Sequence, residues 1–421
     1  METTVAEVCE VYDGPHAKPT KTSAGPIFLG ITSLNKGRID LAESEHLSEE
    51  DFAKWTRRVT PRAGDVVFSY ETKLGEAAII SEGLRCCLGR RMALMRPDPS
   101  KVDGRFLLYY YLGPEFQNVI RERTIHGSTV ERLALIEFPK FPLRLPPLTE
   151  QKAIAAVLGA LDDKIELNRR MNATLEAMAR ALFQSWFVDF DPVRAKLDGR
   201  KPVGIDAATA ALFPEHLEDS PLGHIPKGWT AGKLGDIGTN PRRSLQPSEI
   251  APNTPYIALE HMPRRCIALG DWDNSADVAS GKSAFKEGEI LFGKLRPYFH
   301  KVGVAPIDGV CSTDILVLAP KRPEWFGFLL GHASSDELIQ FTDLASTGTK
   351  MPRTNWGDIS SFKVAIPPEP IAAAFTRLIQ PMLSSIRANL HQSGTLATLR
   401  DTLLPKLLSG ELSVTKATSL A

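Results

Sequence analysis

The segment "GDVVFSYETK" (64–73) gathers Asp65, Glu71 and Lys73 in one short stretch. Two carboxylates and a lysine are the set with which a hydrolytic enzyme holds a magnesium ion and steadies an attacking water. The spacing is loose. Where the chain repeats itself, Asp65 is matched by Glu289, but Glu71 and Lys73 are matched by Leu295 and Pro297. An ordinary strand and turn accounts for these residues better than a nuclease site. A second acidic group, Asp162, Asp163 and Glu166, reads as helix surface, with Glu166 and Arg170 one turn apart as a solvated pair. The string "TNPRRS" (239–244) comes nearest to the N/D-P-P-Y/F loop of an amino-methyltransferase, yet it has neither the proline pair nor the aromatic. The sequence contains no G-x-x-x-x-G-K-[ST] phosphate loop. Cys9, Cys86, Cys87, Cys266 and Cys311 show no C-x-x-C spacing, which argues against a zinc site or a disulfide framework. No residue is assigned to catalysis or to a metal.

Nucleic-acid contact is the other chemistry these residues offer. Arg and Lys grip phosphate or read guanine, and Asn reads adenine. Candidates in turns are Lys73, Arg121, Arg123, His126 and Arg132 in the first half. In the second half they are Lys294, Arg296 and Tyr298 from "KLRPYFHK" (294–301), and Lys350, Arg353 and Asn355 from "TGTKMPRTN" (347–355). The run "FLLYYY" (106–111) reads as core rather than as a base-stacking platform. Basic and acidic residues balance at 50 each. A domain that grips nucleic acid alone is usually basic, so the balance calls for local basic surfaces or for a partner that supplies charge.

The elements that position these residues occur twice. "HGSTVERLALIEFPKFPLRLPPLTE" (126–150) resembles "TGTKMPRTNWGDISSFKVAIPPEPI" (347–371) at a constant shift, and the match continues through Ile165 with Ile386 and Asn168 with Asn389. Upstream, "GDVVFS" (64–69) matches "GEILFG" (288–293), and "GPIFLGI" (25–31) matches "TPYIALE" (254–260), at drifting shifts that mark insertions. Short strands are expected at "DVVFSY", "EAAII", "EILFG", "KVGVAP" and "DILVLAP".

Each copy ends in a helix with a heptad seam. The first seam takes Ile154, Leu158, Leu161, Ile165, Asn168, Asn172, Leu175 and Leu182. The second takes Ile379, Ile386, Asn389, Ser393, Leu396 and Leu403. Pro146 with Pro147, and Pro367 with Pro368, supply start signals. Pro381 is expected to kink or break the second helix. Paired antiparallel, the helices would set Asn168 and Asn172 against Asn389 and Ser393 and form a spacer of about 50 Å.

The expected fold is therefore α+β: two similar mixed α/β domains separated by two long antiparallel helices, with pseudo-twofold symmetry. The expected boundaries are domain one 1–145, helix 146–188, linker 189–225, domain two 226–366, helix 367–412 and tail 413–421. With 421 residues, 43% of them hydrophobic, two or three domains are affordable. There is no long apolar run, and the acidic start lacks a signal pattern, so a cytoplasmic protein is expected.

"LPPLTEQKAIAAVLGALDDKIELNRRMNATLEAMARALFQSWFVDFDPVRA" (145–195) resembles the central conserved region of the specificity subunit of type I restriction–modification enzymes. "GHIPKGW" (223–229) is similar to the start of that family's second target recognition domain. The resemblance implies a non-catalytic subunit that binds double-stranded DNA. Each recognition domain would read half of a bipartite, asymmetric site. The helices would dock two modification (methyltransferase) subunits, and restriction (translocase/nuclease) subunits would join them. S-adenosylmethionine, ATP and magnesium would belong to those partners. One departure is "PPEPIA" in the second copy for "PPLTEQ" in the first. If Glu150 and Gln151 help hold a partner, the two docking sites differ. The rival readings are a divergent single-chain restriction endonuclease and a non-catalytic coiled-coil scaffold.

Overall fold

The computed structural model describes residues 2–17, 19–41, 44–127, 130–275, 280–345 and 351–414. The chain forms two compact units. Unit one is Met1–Lys164 with Leu396–Ala421, and unit two is Ile165–Thr395.

Unit one is built on an antiparallel sheet in the order Cys9–Asp13, Met92–Pro97, Val66–Ser69, Ala77–Ile79. Its central strands are apolar and buried through Val66–Phe68 and Met92–Met95 because both faces are covered there. Val66, Phe68, Ala93 and Met95 point into a core shared with helices Gly104–Leu112 and Pro114–Arg123. The alternate residues Val67, Met92 and Leu94 point into a second core. That core is closed by a smaller sheet, Glu45–Leu47, Lys21–Leu29 and Cys86–Leu88. Phe106 to Tyr111 are all buried.

Unit two repeats the plan. Its first sheet runs Gly238–Thr239, Ile315–Pro320, Ile290–Gly293, Val302–Val304. Ile290, Phe292 and Leu318 face one core, and Leu291 and Val317 the other. The registers correspond. The parallel pair Ile27 with Cys86 is matched by Tyr256 with Val310. Leu94 opposite Val67 is matched by Val317 opposite Leu291. Even the first short helix is held alike: Glu7 accepts from the Thr4 amide at 2.8 Å, and Asp236 accepts from the Lys233 amide at 2.7 Å.

The long helices are Leu148–Phe183, 36 residues, and Glu369–Leu408, 40 residues. Pro381 does not break the second helix, which runs on through it. Proline removes the hydrogen bond to the carbonyl four residues back. Here both Pro381 and Arg377 are exposed, so water can satisfy the freed carbonyl. The stretch expected as a loop-rich linker contains helices Asp191–Leu197 and Ala207–Leu212 and the hairpin Leu217–Ser220 with Gly223–Pro226. After the first helix a π-turn, Gln184–Val188, delivers Trp186 and Phe187 into unit two's core beside Phe328 and Phe375.

Seam residues Ile154, Leu158 and Leu161 lie in unit one's core with Leu403. In unit two, Ile165, Ile379 and Ile386 are buried, and Leu175 and Leu182 pack against the core from partly buried positions. Leu396, in unit one, is also partly buried. Within unit two the helices run antiparallel: Asn168 meets Asn389, while Phe183 lies 6.1 Å from Phe375. Asn168 is fully buried. Its Nδ2 donates to Gln392 Oε1 at 2.9 Å, Ser393 Oγ at 3.2 Å and the Asn389 carbonyl at 3.4 Å. Asn389 in turn donates to Asn172 Oδ1 at 2.8 Å. Gln392, absent from the expected seam, takes the shortest bond to Asn168.

Candidate nucleic-acid interface

In each unit the loop after a central sheet strand is zipped to a segment that follows two short helices, Gly104–Leu112 and Pro114–Arg123 in unit one and Phe326–Ala333 and Asp336–Ala345 in unit two. In unit one, Leu133 N donates to Tyr70 O at 2.8 Å and Thr72 N to Glu131 O at 3.2 Å. In unit two, Thr354 N donates to Lys294 O at 3.0 Å and Arg296 N to Pro352 O at 2.8 Å. Bridges between Glu71 and Arg132, and between Leu295 and Arg353, complete the match. The zipper thus brings Lys73 together with Arg132, and Lys294 and Arg296 together with Arg353.

Lys73 is exposed and donates to the Leu34 carbonyl at 3.3 Å. Arg132 is exposed, and no ion pair to it occurs among the described residues. Arg353 is 56% exposed and sits 3.4 Å from Asp314. Lys294 and Arg296 are partly buried, and Tyr298 is 49% exposed against Phe299. Arg121 and Arg123 lie on helix Pro114–Arg123, while His126 stands at the zipper's edge, next to the strand paired with Arg132 and Leu133. Arg121 bonds Asn118, Arg123 sits over Phe141 at 5.7 Å, and His126 pairs with Glu131 at 3.0 Å. Asn355 caps helix Trp356–Ser361, accepting from the Asp358 amide and donating to its carboxylate. That capping role leaves its amide poorly placed to read adenine. Lys350 lies outside the described residues.

The carboxylates that suggested a nuclease are occupied by arginines. Asp65 is buried and receives Arg96 Nη2 at 2.7 Å and Nε at 3.0 Å. Glu71 pairs with Arg91. Asp162 accepts from the Tyr109 hydroxyl at 2.6 Å and from Arg400 at 2.7 Å, and Asp163 pairs with Arg105. Glu166 engages Arg169 at 2.7 Å more closely than Arg170 at 3.8 Å.

Two features escaped the sequence reading. Gln151 is 2% exposed, and its amide is engaged inside unit one, so it is not a partner contact. Glu176, also buried, accepts from the amides of Ile267 at 3.0 Å and Ala268 at 3.1 Å. Burial raises its pKa against those bonds. Its position on the helix flank, away from the heptad seam, gave no signal. Nearby, His332 is enclosed by Phe183 and Phe328, and burial pushes its pKa down to about 3.

The chain thus carries two mixed sheet-and-helix units on one plan, each with a zipper that gathers basic residues, and two long helices. The family described as the type I restriction modification DNA specificity domain matches residues 2–177. The type I restriction enzyme MjaIX specificity subunit of Methanocaldococcus jannaschii is 26% identical over 382 residues, 88% of this chain and 82% of the relative. The HindI specificity subunit of Haemophilus influenzae is 24% identical, over 76% of this chain and 80% of the relative. The crystal structure of a type I restriction–modification S subunit from M. genitalium has the same fold, with a TM-score of 0.50 at 15% identity, covering 97% of this chain and 95% of that one. Residues 2–177 thus match that DNA specificity domain, and over most of its length the chain is similar to specificity subunits of type I restriction enzymes. Among the described residues, no helix is long and apolar enough to cross a membrane.

Proposed function

We propose that the chain recognises a bipartite, asymmetric DNA sequence, one half per unit, and does no chemistry itself. The observation that carries this reading is the zipper, built twice in the same register around side chains that differ except at Arg132 and Arg353. Two half-sites of different sequence call for one scaffold with two sets of readers. The long helices then serve as the platform for two modification subunits, with restriction subunits joining them. Those partners hold S-adenosylmethionine, ATP and magnesium, and the assembly works in the cytoplasm where its DNA lies. The arginine partners of Asp65 and Glu71 support this over a nuclease in the chain.

Sequencing of methylated adenines in cells that express the chain with its modification partner tests the proposal. A split motif with two unlike halves is expected. Absence of any motif favours a scaffold. DNA cutting by the purified chain in magnesium, lost on Glu71→Ala, favours the nuclease.

A further inference from the structure

We propose that the two copies of the zipper sort DNA contacts by position: Arg132 and Arg353 hold backbone phosphate, and Arg296 reads a base in unit two's half-site. This rests on the recognition reading above and names its residues.

Arg132 and Arg353 are the same residue type at the same zipper position, and both are exposed. A contact kept identical in two halves that read different sequences must engage what the halves share. On DNA that is the phosphate backbone. Position 72 and its match, 296, behave in the opposite way. Both take the left-handed backbone that side chains other than glycine rarely adopt, Thr72 at φ 75° and Arg296 at φ 51°. Such strain is retained where the surrounding structure and function demand the shape. The shape is kept, but the side chain is not.

Thr72 receives Arg91 Nη1 at 3.3 Å within its own unit. Arg296 has no carboxylate partner among the described residues, and its Nε is buried without an acceptor. Its guanidinium lies 5.9 Å from the Phe299 ring, and Arg264 lies over the same ring at 4.4 Å. An arginine held against an aromatic face keeps its planar edge available for two parallel hydrogen bonds. Guanine O6 and N7 are the base-edge acceptors that fit this fork.

The test uses the full chain with its modification partner. Methylated motifs are mapped in cells, and binding to a duplex pool carrying a randomised segment is measured at several salt concentrations. Arg296→Gly removes the side chain while allowing the same φ, so the loop keeps its shape. It should relax one position of one half-motif, with about a ten- to hundredfold loss of preference there, and leave the other half unchanged. Arg353→Ala should keep the motif, weaken all sequences alike and lower the salt slope by about 0.9. An intact motif in Arg296→Gly, or an altered one in Arg353→Ala, overturns the assignment. A wild-type chain that directs no motif overturns the recognition reading and the assignment with it.

Discussion

The two units fasten the same joint in different ways. In unit one, Gln151 on the long helix accepts from the Asp103 amide at 3.1 Å and donates to the carbonyls of Pro146 at 2.9 Å and Lys101 at 3.3 Å. The matching residue in unit two is Ala372, which is fully buried and apolar. There the joint is held one turn later by Thr376, which donates to the Glu324 carbonyl at 2.7 Å and accepts from the Gly327 amide at 3.0 Å. Thr376 is matched in unit one by Ala155. The core behind the joint differs too: Phe375 stands where unit one has Ile154, and both are buried. Glu176 anchors a loop in unit two, and the second helix has Ala397 at that position. Backbone registers are duplicated while the side chains that satisfy them are exchanged. A buried polar backbone group must find some partner, but nothing dictates which one.

The largest break in this comparison should come at Phe375. Its ring packs against Phe183, Trp186 and Phe187. Phe375→Ala should lower unit two's stability by about 3–5 kcal/mol through lost burial and a cavity. In urea unfolding followed by tryptophan fluorescence, a change under about 1 kcal/mol would show that the aromatic cluster does not hold the unit.

Gln151→Ala should cost unit one about 2–3 kcal/mol, because the Asp103 amide and two carbonyls lose their partner. Hydrogen exchange at the Asp103 amide should rise in parallel. If stability and exchange stay unchanged, the joint does not depend on the amide.

The smallest effect concerns Glu176. Burial raises its folded-state pKa above the ordinary 4.5. The folded state therefore holds this proton more tightly than the unfolded state. The stability it contributes is fully present below pH 4.5 and is lost as pH rises through the folded value. Glu176→Gln cannot titrate, so the stability difference, wild type minus variant, should grow in wild type's favour on acidification. A difference that is flat with pH would contradict this.

Much of the fold was legible because burial imposes periodicity. The heptad seam placed Asn168 and Asn172 near Asn389 and Ser393, and the strands at 66–69 and 290–293 announced themselves as continuous apolar runs. Gln392 escaped because it stands beside the seam and reaches in with a long side chain. Gln151 was considered as a partner contact because two of its backbone partners, Asp103 and Lys101, lie 48 and 50 residues away, which no local pattern reveals. The interface was legible only in part. The candidates Lys73, Arg132, Lys294, Arg296 and Arg353 do converge on the zippers. His126 reaches the zipper's edge through Glu131, Arg121 and Arg123 lie on a helix, and a pairing between segments some sixty residues apart decides which group a residue falls into. Asn355 was attractive for its chemistry, but it stands just ahead of a helix, where an asparagine side chain is most useful as a cap.

An exchange of residues 226–366 for the matching segment of a relative, followed by sequencing of methylated adenines in cells that also supply the modification partner, tests most directly whether each unit reads its own half-site. One half of the split motif should change while the other half keeps its sequence. A change in both halves, or in neither, would contradict the account.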